Sequence, residues 1–119
     1  MKENRDKFHL EMILESIDRT EWHLLGFEFK YFETEKKTYD AVLMQLVNIG
    51  EMVNRLSDDF REKYNRLPWH DIIGMRNQIA HGYFKIDPEE VWKTAKKDLP
   101  ELKKEIEKIL NSGFPPSRE

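Results

Sequence analysis

The chain has no cysteine, which excludes a disulfide framework, a cysteine nucleophile and any metal site built on thiolates. Glycine and proline are scarce, with five of each among 119 residues, while Glu, Lys and Leu are abundant, and this balance favours helices. No stretch comes near the roughly 18 consecutive apolar residues that cross a membrane. The N-terminal residues also lack the apolar run of a signal peptide. We therefore expect one cytoplasmic domain without a membrane partner.

A large excess of positive charge is absent as well, since the net charge is −3 and the isoelectric point is near 5.9. Charged residues make up 36% of the chain and hydrophobic residues 39%, which is the composition of a soluble globular protein. Residues 89–108 hold six lysines, but six acidic residues balance them, so this segment is interpreted as a solvated helix face. Contact with nucleic acid would require a local cluster of Lys and Arg.

Four blocks of the sequence place apolar residues at the three- and four-residue spacing of a buried helix face. The first block predicts a helix from about residue 5 to residue 25, where Gly26 offers a stop. The second is the clearest, and its two adjacent stripes predict a central helix that packs against more than one neighbour. Ser57 is positioned to cap a separate continuation of this block. Its main stripe comprises Val42, Leu46, Ile49, Val53, Leu56 and Phe60, and its second stripe Leu43, Val47 and Gly50.

Turn-forming and capping residues delimit the third and fourth blocks. Pro68 fits the first position of a helix, and Gly82 fits the end of that helix. Asp87, followed by a proline, is a strong N-cap for the fourth helix, which should run to about residue 111. Pro100 should kink or split it, with Asp98 available as a second cap.

These elements predict an all-α fold: an antiparallel bundle of four to five helices joined by short connections. Residues 1–112 would form the single helical domain, and residues 113–119 a flexible C-terminal tail. The segment 27–37 between the first two helices holds four aromatic residues, which we expect to pack on the core.

Arg76 occupies an unusual position in the third helix. At about 100° per residue, it falls in the middle of the apolar face. Because a guanidinium cannot shed its proton, burying it without a partner is costly. Arg76 should therefore either form an ion pair inside the bundle, with Glu51 as the candidate, or line a cleft or subunit interface. The apolar residues around it on the helical projection are Trp69, Ile72, Ile73, Ile79 and Ala80.

Three polar residues follow Arg76 along the chain: Asn77, His81 and Tyr83. Arginine binds phosphate, and histidine is the side chain best suited to move a proton near neutral pH, so Arg76 and His81 together suit chemistry on a phosphate ester. Asn77, one turn before His81, could orient its ring. Taken singly, a histidine in the last turn of a helix and the tyrosine at position 83 are compatible with purely structural roles.

The directions of Arg76 and His81 limit how one chain can use them. On an ideal helix the two side chains diverge by about 140°, so a single copy would not direct both at one phosphate. Either the helix unwinds near Gly82, or a two-fold dimer brings two such pairs together in a shared cleft. Gly74 favours the dimer, because a mid-helix glycine would let two backbones approach closely.

The segment "RNQIAHGY", residues 76–83, resembles the R-x4-6-H motif of HEPN-domain ribonucleases, and more narrowly the R-x4-H-x-Y form of HepT-like toxins. The similarity extends through "DAVLMQLVNIGEMVNRLSDDFREKY", "LPWHDIIGMRNQIAHGYFKID" and "VWKTAKKDLPELKKEIEKIL", which cover most of residues 40 to 110. The first 35 residues fit less distinctively. The resemblance implies that Arg76 and His81 are the catalytic pair, that Asn77 supports the site, and that Tyr83 is a modified hydroxyl.

The resemblance also implies a homodimeric bundle with the motifs at the dimer interface, acting as an endoribonuclease toxin that needs no metal or other cofactor. Its partners would be RNA and a minimal nucleotidyltransferase antitoxin, which silences the toxin by transferring AMP to the motif tyrosine. The sequence offers no competing metal site, since its four histidines lack ligand-like spacing. The alternative is a non-catalytic helical dimer that binds a nucleotide or the antitoxin.

Overall fold

The computed structural model describes residues 2–112, and every regular element within that range is helical, which confirms the all-α prediction. The predicted tail, residues 113–119, lies outside that range. Within it, no helix is both long enough and apolar enough to cross a membrane. The elements are α1 (Lys2–Leu24), α2 (Phe29–Phe32), α3 (Lys36–Arg55), α4 (Asp58–Lys63), α5 (Trp69–His81), a 3-10 turn (Tyr83–Lys85), α6 (Pro88–Lys93), a π-helical segment (Thr94–Asp98) and α7 (Leu99–Asn111).

Helix α3 is the central element of the bundle, because it packs against both α1 and α5. Every residue of its main predicted stripe is buried, as the spacing predicts. The second stripe is covered less evenly, since Leu43 and Gly50 are buried while Val47 is half-buried. The residues of α1 and α7 that complete the core are Leu10, Ile13, Ile17, Leu24, Leu99, Leu102, Ile106 and Ile109.

The segment between α1 and α3 contains the short helix α2. Gly26 ends α1 at a φ of +81°, a backbone conformation that favours glycine. Phe32 of α2 is fully buried, and its ring lies 5.3 Å from that of Tyr39 and 5.2 Å from that of Trp92. Phe27 and Phe29 are partly buried against the core, whereas Tyr31 is exposed, so the expectation that the aromatic residues of this segment pack on the core is confirmed for three of the four.

Capping residues begin and end helices where the sequence predicts. The Ser57 hydroxyl accepts a hydrogen bond from the Phe60 N–H (3.1 Å) at the start of α4. The Asp87 carboxylate likewise accepts one from the Glu89 N–H (3.0 Å) at the start of α6. Gly82 follows the last residue of α5. The first N–H groups of a helix have no partner inside it, which is why these polar residues mark helix starts.

The prediction that Asp98 caps a second helix is wrong. Asp98 has helical backbone angles (φ −70°, ψ −43°) and makes no side-chain capping hydrogen bond. Helical residues instead continue from Pro88 through the π-helical segment to Asn111. Proline lacks an N–H, and its ring crowds the preceding turn, so the wider π turn before Pro100 accommodates it without ending the helix.

Candidate active site

Helices α3 and α5 pack antiparallel, and two carboxylates of α3 contact residues of the predicted site. Glu51, near the end of α3, pairs with Arg76 on α5. Asp40, near the start of α3, accepts a hydrogen bond from Tyr83, just beyond the end of α5. Positions 40 and 51 are eleven apart, so on an ideal helix their directions differ by only about 20°. One face of α3 therefore holds both ends of the R-x4-H-x-Y segment.

Arg76 pairs with Glu51, the acidic partner named in one of the two alternatives that the sequence leaves open. The side chains of Arg76 and Glu51 are 34% and 32% exposed, so the pair lies at the protein surface. Nη1 of Arg76 also donates a hydrogen bond to the side-chain oxygen of Asn77, at 3.0 Å. These two contacts hold the guanidinium in place and leave part of it accessible to solvent.

The apolar face predicted around Arg76 is confirmed in part. Of its five residues, four are buried or partly buried against the core, and Ala80 is exposed. Met75 is buried as well, so the middle of the fully buried residues Trp69, Ile72 and Met75 lies about 40° from Arg76 on an ideal helix. Arg76 is therefore displaced from the centre of the buried face, and its side chain remains 34% exposed. This position lets its stem pack on α3 while its charged end reaches the surface.

Gly50 sets how closely α5 approaches α3 at this point. A Cβ added at Gly50 would lie 2.3 Å from the Cβ of Arg76 and 2.8 Å from its Cγ. Only a glycine therefore fits in α3 opposite Arg76. The Gly74 backbone, expected to allow close approach to a second subunit, has open space within this chain, because a Cβ added there would meet nothing within 4 Å.

His81 is the last residue of α5 and is exposed. Because α5 remains helical through His81, its side chain and that of Arg76 leave the helix about 140° apart. Asn77, expected to orient the His81 ring, contacts Arg76 instead. The structure thus gathers Arg76, Asn77 and Glu51 into one cluster and leaves His81 outside it.

Tyr83 lies in the 3-10 turn after α5, and its hydroxyl donates a hydrogen bond to the Asp40 carboxylate. Its ring packs edge-on against Tyr39, with the centroids 6.5 Å apart, and is 40% exposed. The hydrogen bond to Asp40 raises the pKa of Tyr83 above its ordinary value, because a phenolate would place a second negative charge beside the carboxylate.

Apolar side chains are exposed around this contact. Phe84 follows Tyr83 and is 96% exposed. Met44 projects from α3 one turn after Asp40 and is exposed as well. Exposed apolar groups that cluster beside charged ones are typical of interaction surfaces. For metal binding, the described part of the chain offers no group of three or more His, Asp or Glu residues suited to hold an ion.

Similarity to known proteins defines the family. The profile described as "Ribonuclease HepT-like" matches residues 13–109, which include all of α3 and α5 and the turn that carries Tyr83. The chain belongs to the HepT-like ribonuclease family. No solved structure matches it.

Named relatives of this HepT-like chain are similar over most of its length. It is 40% identical over 104 residues to "Putative RNase MJ1216" of Methanocaldococcus jannaschii, covering 87% of this chain and 86% of that protein. It is 37% identical over 103 residues to "Probable ribonuclease HepT" of Thermococcus cleftensis, covering 87% and 94%. It is also 40% identical over 104 residues to "Gamma-glutamylcyclotransferase and putative RNase MJ0434" of M. jannaschii, but it spans only 47% of that longer protein.

Two residues that contact the predicted site, Asp40 and Gly50, are not among the site residues predicted from the sequence, where Gly50 appears only in the second stripe of the central helix. A signal for Asp40 exists, since its eleven-residue spacing from Glu51 puts the two carboxylates on one face of a helix. The sequence has no such signal for Gly50, because Gly74 is an equally good candidate for a close backbone approach.

Proposed function

We propose that this HepT-like protein is a metal-independent endoribonuclease toxin that cleaves RNA with Arg76 and His81 at the interface of a homodimer. Family membership supports the reaction class. The observation that carries the residue assignment is the position of Arg76, which Glu51 holds at the surface rather than in the core. An accessible guanidinium can bind a phosphate oxygen, whereas a fully buried one cannot.

The proposed reaction uses a nucleophile that RNA itself supplies, the 2′-hydroxyl. A base removes its proton as the oxygen attacks the adjacent phosphorus, and an acid protonates the 5′ oxygen that leaves. His81 takes one of these roles, and the partner's His81 takes the other. Arg76 stabilises the negative charge that builds up on the phosphoryl oxygens. The products are a 2′,3′-cyclic phosphate and a 5′-hydroxyl, and no step requires a metal ion.

The dimer is part of the proposal because one chain directs its two motif residues apart. A two-fold axis beside α5 would bring Arg76 of one subunit toward His81 of the other in a shared cleft. The divergence of about 140° between the two side chains within one chain supports this arrangement.

Regulation of the proposed toxin would act through Tyr83. A minimal nucleotidyltransferase antitoxin would transfer AMP to its hydroxyl and so add a bulky anionic group at the edge of the cleft. The 40% exposure of Tyr83 supports this assignment, since a transferase must reach the hydroxyl from solvent. RNA phosphates would then be repelled from the site by like charge.

The test is RNA cleavage by purified protein in excess EDTA, comparing wild type with His81→Ala. His70→Ala is the matched control, because His70 is also an exposed histidine on α5 but lies at its opposite end. Removal of a general acid or base typically lowers a rate by about 100- to 10,000-fold. We expect a loss of that size in His81→Ala only, and products that carry a 2′,3′-cyclic phosphate.

Two results would contradict the proposal. A strict requirement for Mg²⁺ would exclude the metal-free reaction. Equal cleavage by wild type and a folded His81→Ala dimer would remove His81 from the chemistry. If neither protein cuts RNA and Tyr83 is shown by mass to be unmodified, the alternative of a non-catalytic binding module is favoured.

A further inference from the structure

The contact between Asp40 and Tyr83 joins residues that are 43 positions apart in the sequence. Among the described residues, the Tyr83 hydroxyl makes no other side-chain hydrogen bond, and the acceptor in this one is a carboxylate rather than a neutral group. Both residues are exposed, so the contact does not serve to satisfy a buried polar group. A surface pair of this kind adds little to the stability of the fold. Stability alone therefore does not account for the contact, and a chemical role is considered instead.

The surroundings orient the Tyr83 hydroxyl without enclosing it. Tyr39 packs against one edge of the Tyr83 ring, and Phe84 lies edge-on to it, with the ring centroids 5.1 Å apart. These neighbours restrict the ring, while Tyr83 as a whole residue remains 40% exposed to solvent. The hydroxyl proton already points at the Asp40 oxygen, so the lone pairs of the phenolic oxygen are directed elsewhere.

We propose that Asp40 is the general base that activates Tyr83 as a nucleophile toward the α-phosphorus of a nucleoside triphosphate. This inference rests on the proposed function, in which Tyr83 receives AMP. It assigns part of the chemistry to the toxin itself: the nucleotidyltransferase would hold the nucleotide, and this chain would supply both the acceptor and its base.

The step balances in atoms and charge. The phenolic oxygen of Tyr83 forms a bond to the α-phosphorus, and the bond from that phosphorus to the pyrophosphate oxygen breaks. The phenolic proton passes to Asp40 Oδ1 as the new bond forms, and it is later lost to water. Pyrophosphate leaves with the electron pair of the broken bond. Proton removal in concert with attack avoids a free phenolate beside the carboxylate, the state that the contact disfavours.

The test uses adenosine 5′-phosphorimidazolide, an activated AMP whose leaving group is imidazole, so no partner enzyme is needed. Labelling of the intact purified protein is followed by peptide mass spectrometry. Tyr31 is the internal control, since its ring is 58% exposed and stacks on Phe27 at 4.5 Å. We expect Tyr83 to react at least about tenfold faster than Tyr31, in line with general base assistance.

Variants separate a base from a merely structural neighbour. Asp40→Asn keeps the shape and removes the proton acceptor, so we expect Tyr83 labelling to fall to the rate of Tyr31. Asp40→Glu should restore part of the rate, and Asp18→Asn, a change of the same kind on α1, should leave it unchanged. The dependence on pH should also change. The ratio of the wild-type rate to the Asp40→Asn rate should fall as the pH rises toward the phenol pKa of about 10, because an ionised tyrosine needs no base. The reactivity of the phosphorimidazolide itself, which also depends on pH, cancels in this ratio.

Failure of this inference can be told from failure of the proposed function. Equal Tyr83 labelling in wild type and in a folded Asp40→Asn variant overturns the role of Asp40, whether or not the protein cuts RNA. A wild-type Tyr83 that reacts no faster than Tyr31 overturns it too. Absence of RNA cleavage by the wild type, measured separately, overturns the proposed ribonuclease and does not change the labelling result.

Discussion

Replacing Gly50 by alanine tests whether the close contact between α3 and α5 sets the position of Arg76. The added Cβ would lie 2.3 Å from the Cβ of Arg76, an atom fixed to the backbone that cannot swing aside, so α5 itself must shift. Overpacking costs about 1–3 kcal/mol, and a clash with an atom fixed to the backbone belongs in the upper part of that range, at about 2–3 kcal/mol. The better helix preference of alanine returns about 0.5–1 kcal/mol. We therefore expect Gly50→Ala to lower the free energy of unfolding by about 1–2.5 kcal/mol.

Gly74→Ala is the matched control for this substitution. A Cβ at Gly74 would meet nothing within 4 Å in the chain, so only the helix preference remains. The expected effect is a gain of about 0.5–1 kcal/mol in the free energy of unfolding. The same chemical change is thus expected to act with opposite signs at Gly50 and Gly74.

Urea unfolding followed by far-ultraviolet circular dichroism measures both changes, at equal protein concentration because dimer formation would add to stability. RNA cleavage by Gly50→Ala should also slow, since the shift of α5 displaces Arg76. A Gly50→Ala protein as stable as wild type would refute the inference that this glycine sets the approach of α5. If Gly74→Ala dissociates a dimer, Gly74 contacts the partner subunit. If the dimer persists after the change, Gly74 is not needed for a close approach between subunits.

Two further predictions concern the N-terminal half of α1. Asp6 is buried and accepts hydrogen bonds from the N–H (2.8 Å) and hydroxyl (2.7 Å) of Ser57, so Asp6→Ala should lower the free energy of unfolding by about 1–3 kcal/mol. The exposed Asp18, which pairs with Lys103, is the control, and Asp18→Ala should change the free energy by less than about 1 kcal/mol. An equal loss in both variants would contradict the importance of the Asp6 contact. Burial, and to a smaller extent the charge of Arg55, lower the pKa of His9 below its ordinary value of 6.5. As the pH falls below 6.5, the unfolded chain therefore binds a proton more readily than the folded chain does. The contribution of His9 to the free energy of unfolding is fully present above that pH and should be lost as the pH falls to the lower pKa of the folded state. Unfolding measured between pH 7 and pH 5 should show a shallower decline in His9→Gln, and an unchanged slope would exclude His9 as the cause.

Sequence signals within a few residues of one another were sufficient to predict where the main helices begin and end. Ser57, Asp87 and Gly82 act through hydrogen bonds or backbone angles within a few residues of their own position, so their effect does not depend on the rest of the fold. The main stripe of α3 is similar, because any bundle that buries this helix must bury that face. Asp98 shows the limit of such signals: a capping residue near a proline was overridden by a continuous helix that packs along α1.

The positions of the site residues depended on contacts that span the chain. Arg76 was placed by the packing of α5 on α3, which shifted the centre of the buried face toward Met75 and left the guanidinium partly exposed. Asp40 met Tyr83 only because the two helices run antiparallel in one register. A sequence pattern shows the periodicity within one helix. It does not show how a second helix is rotated or aligned when it packs against the first. By itself the sequence therefore determined the helical elements, the core stripe and the motif, whereas the tertiary structure decided which carboxylate and which glycine of α3 lie opposite that motif.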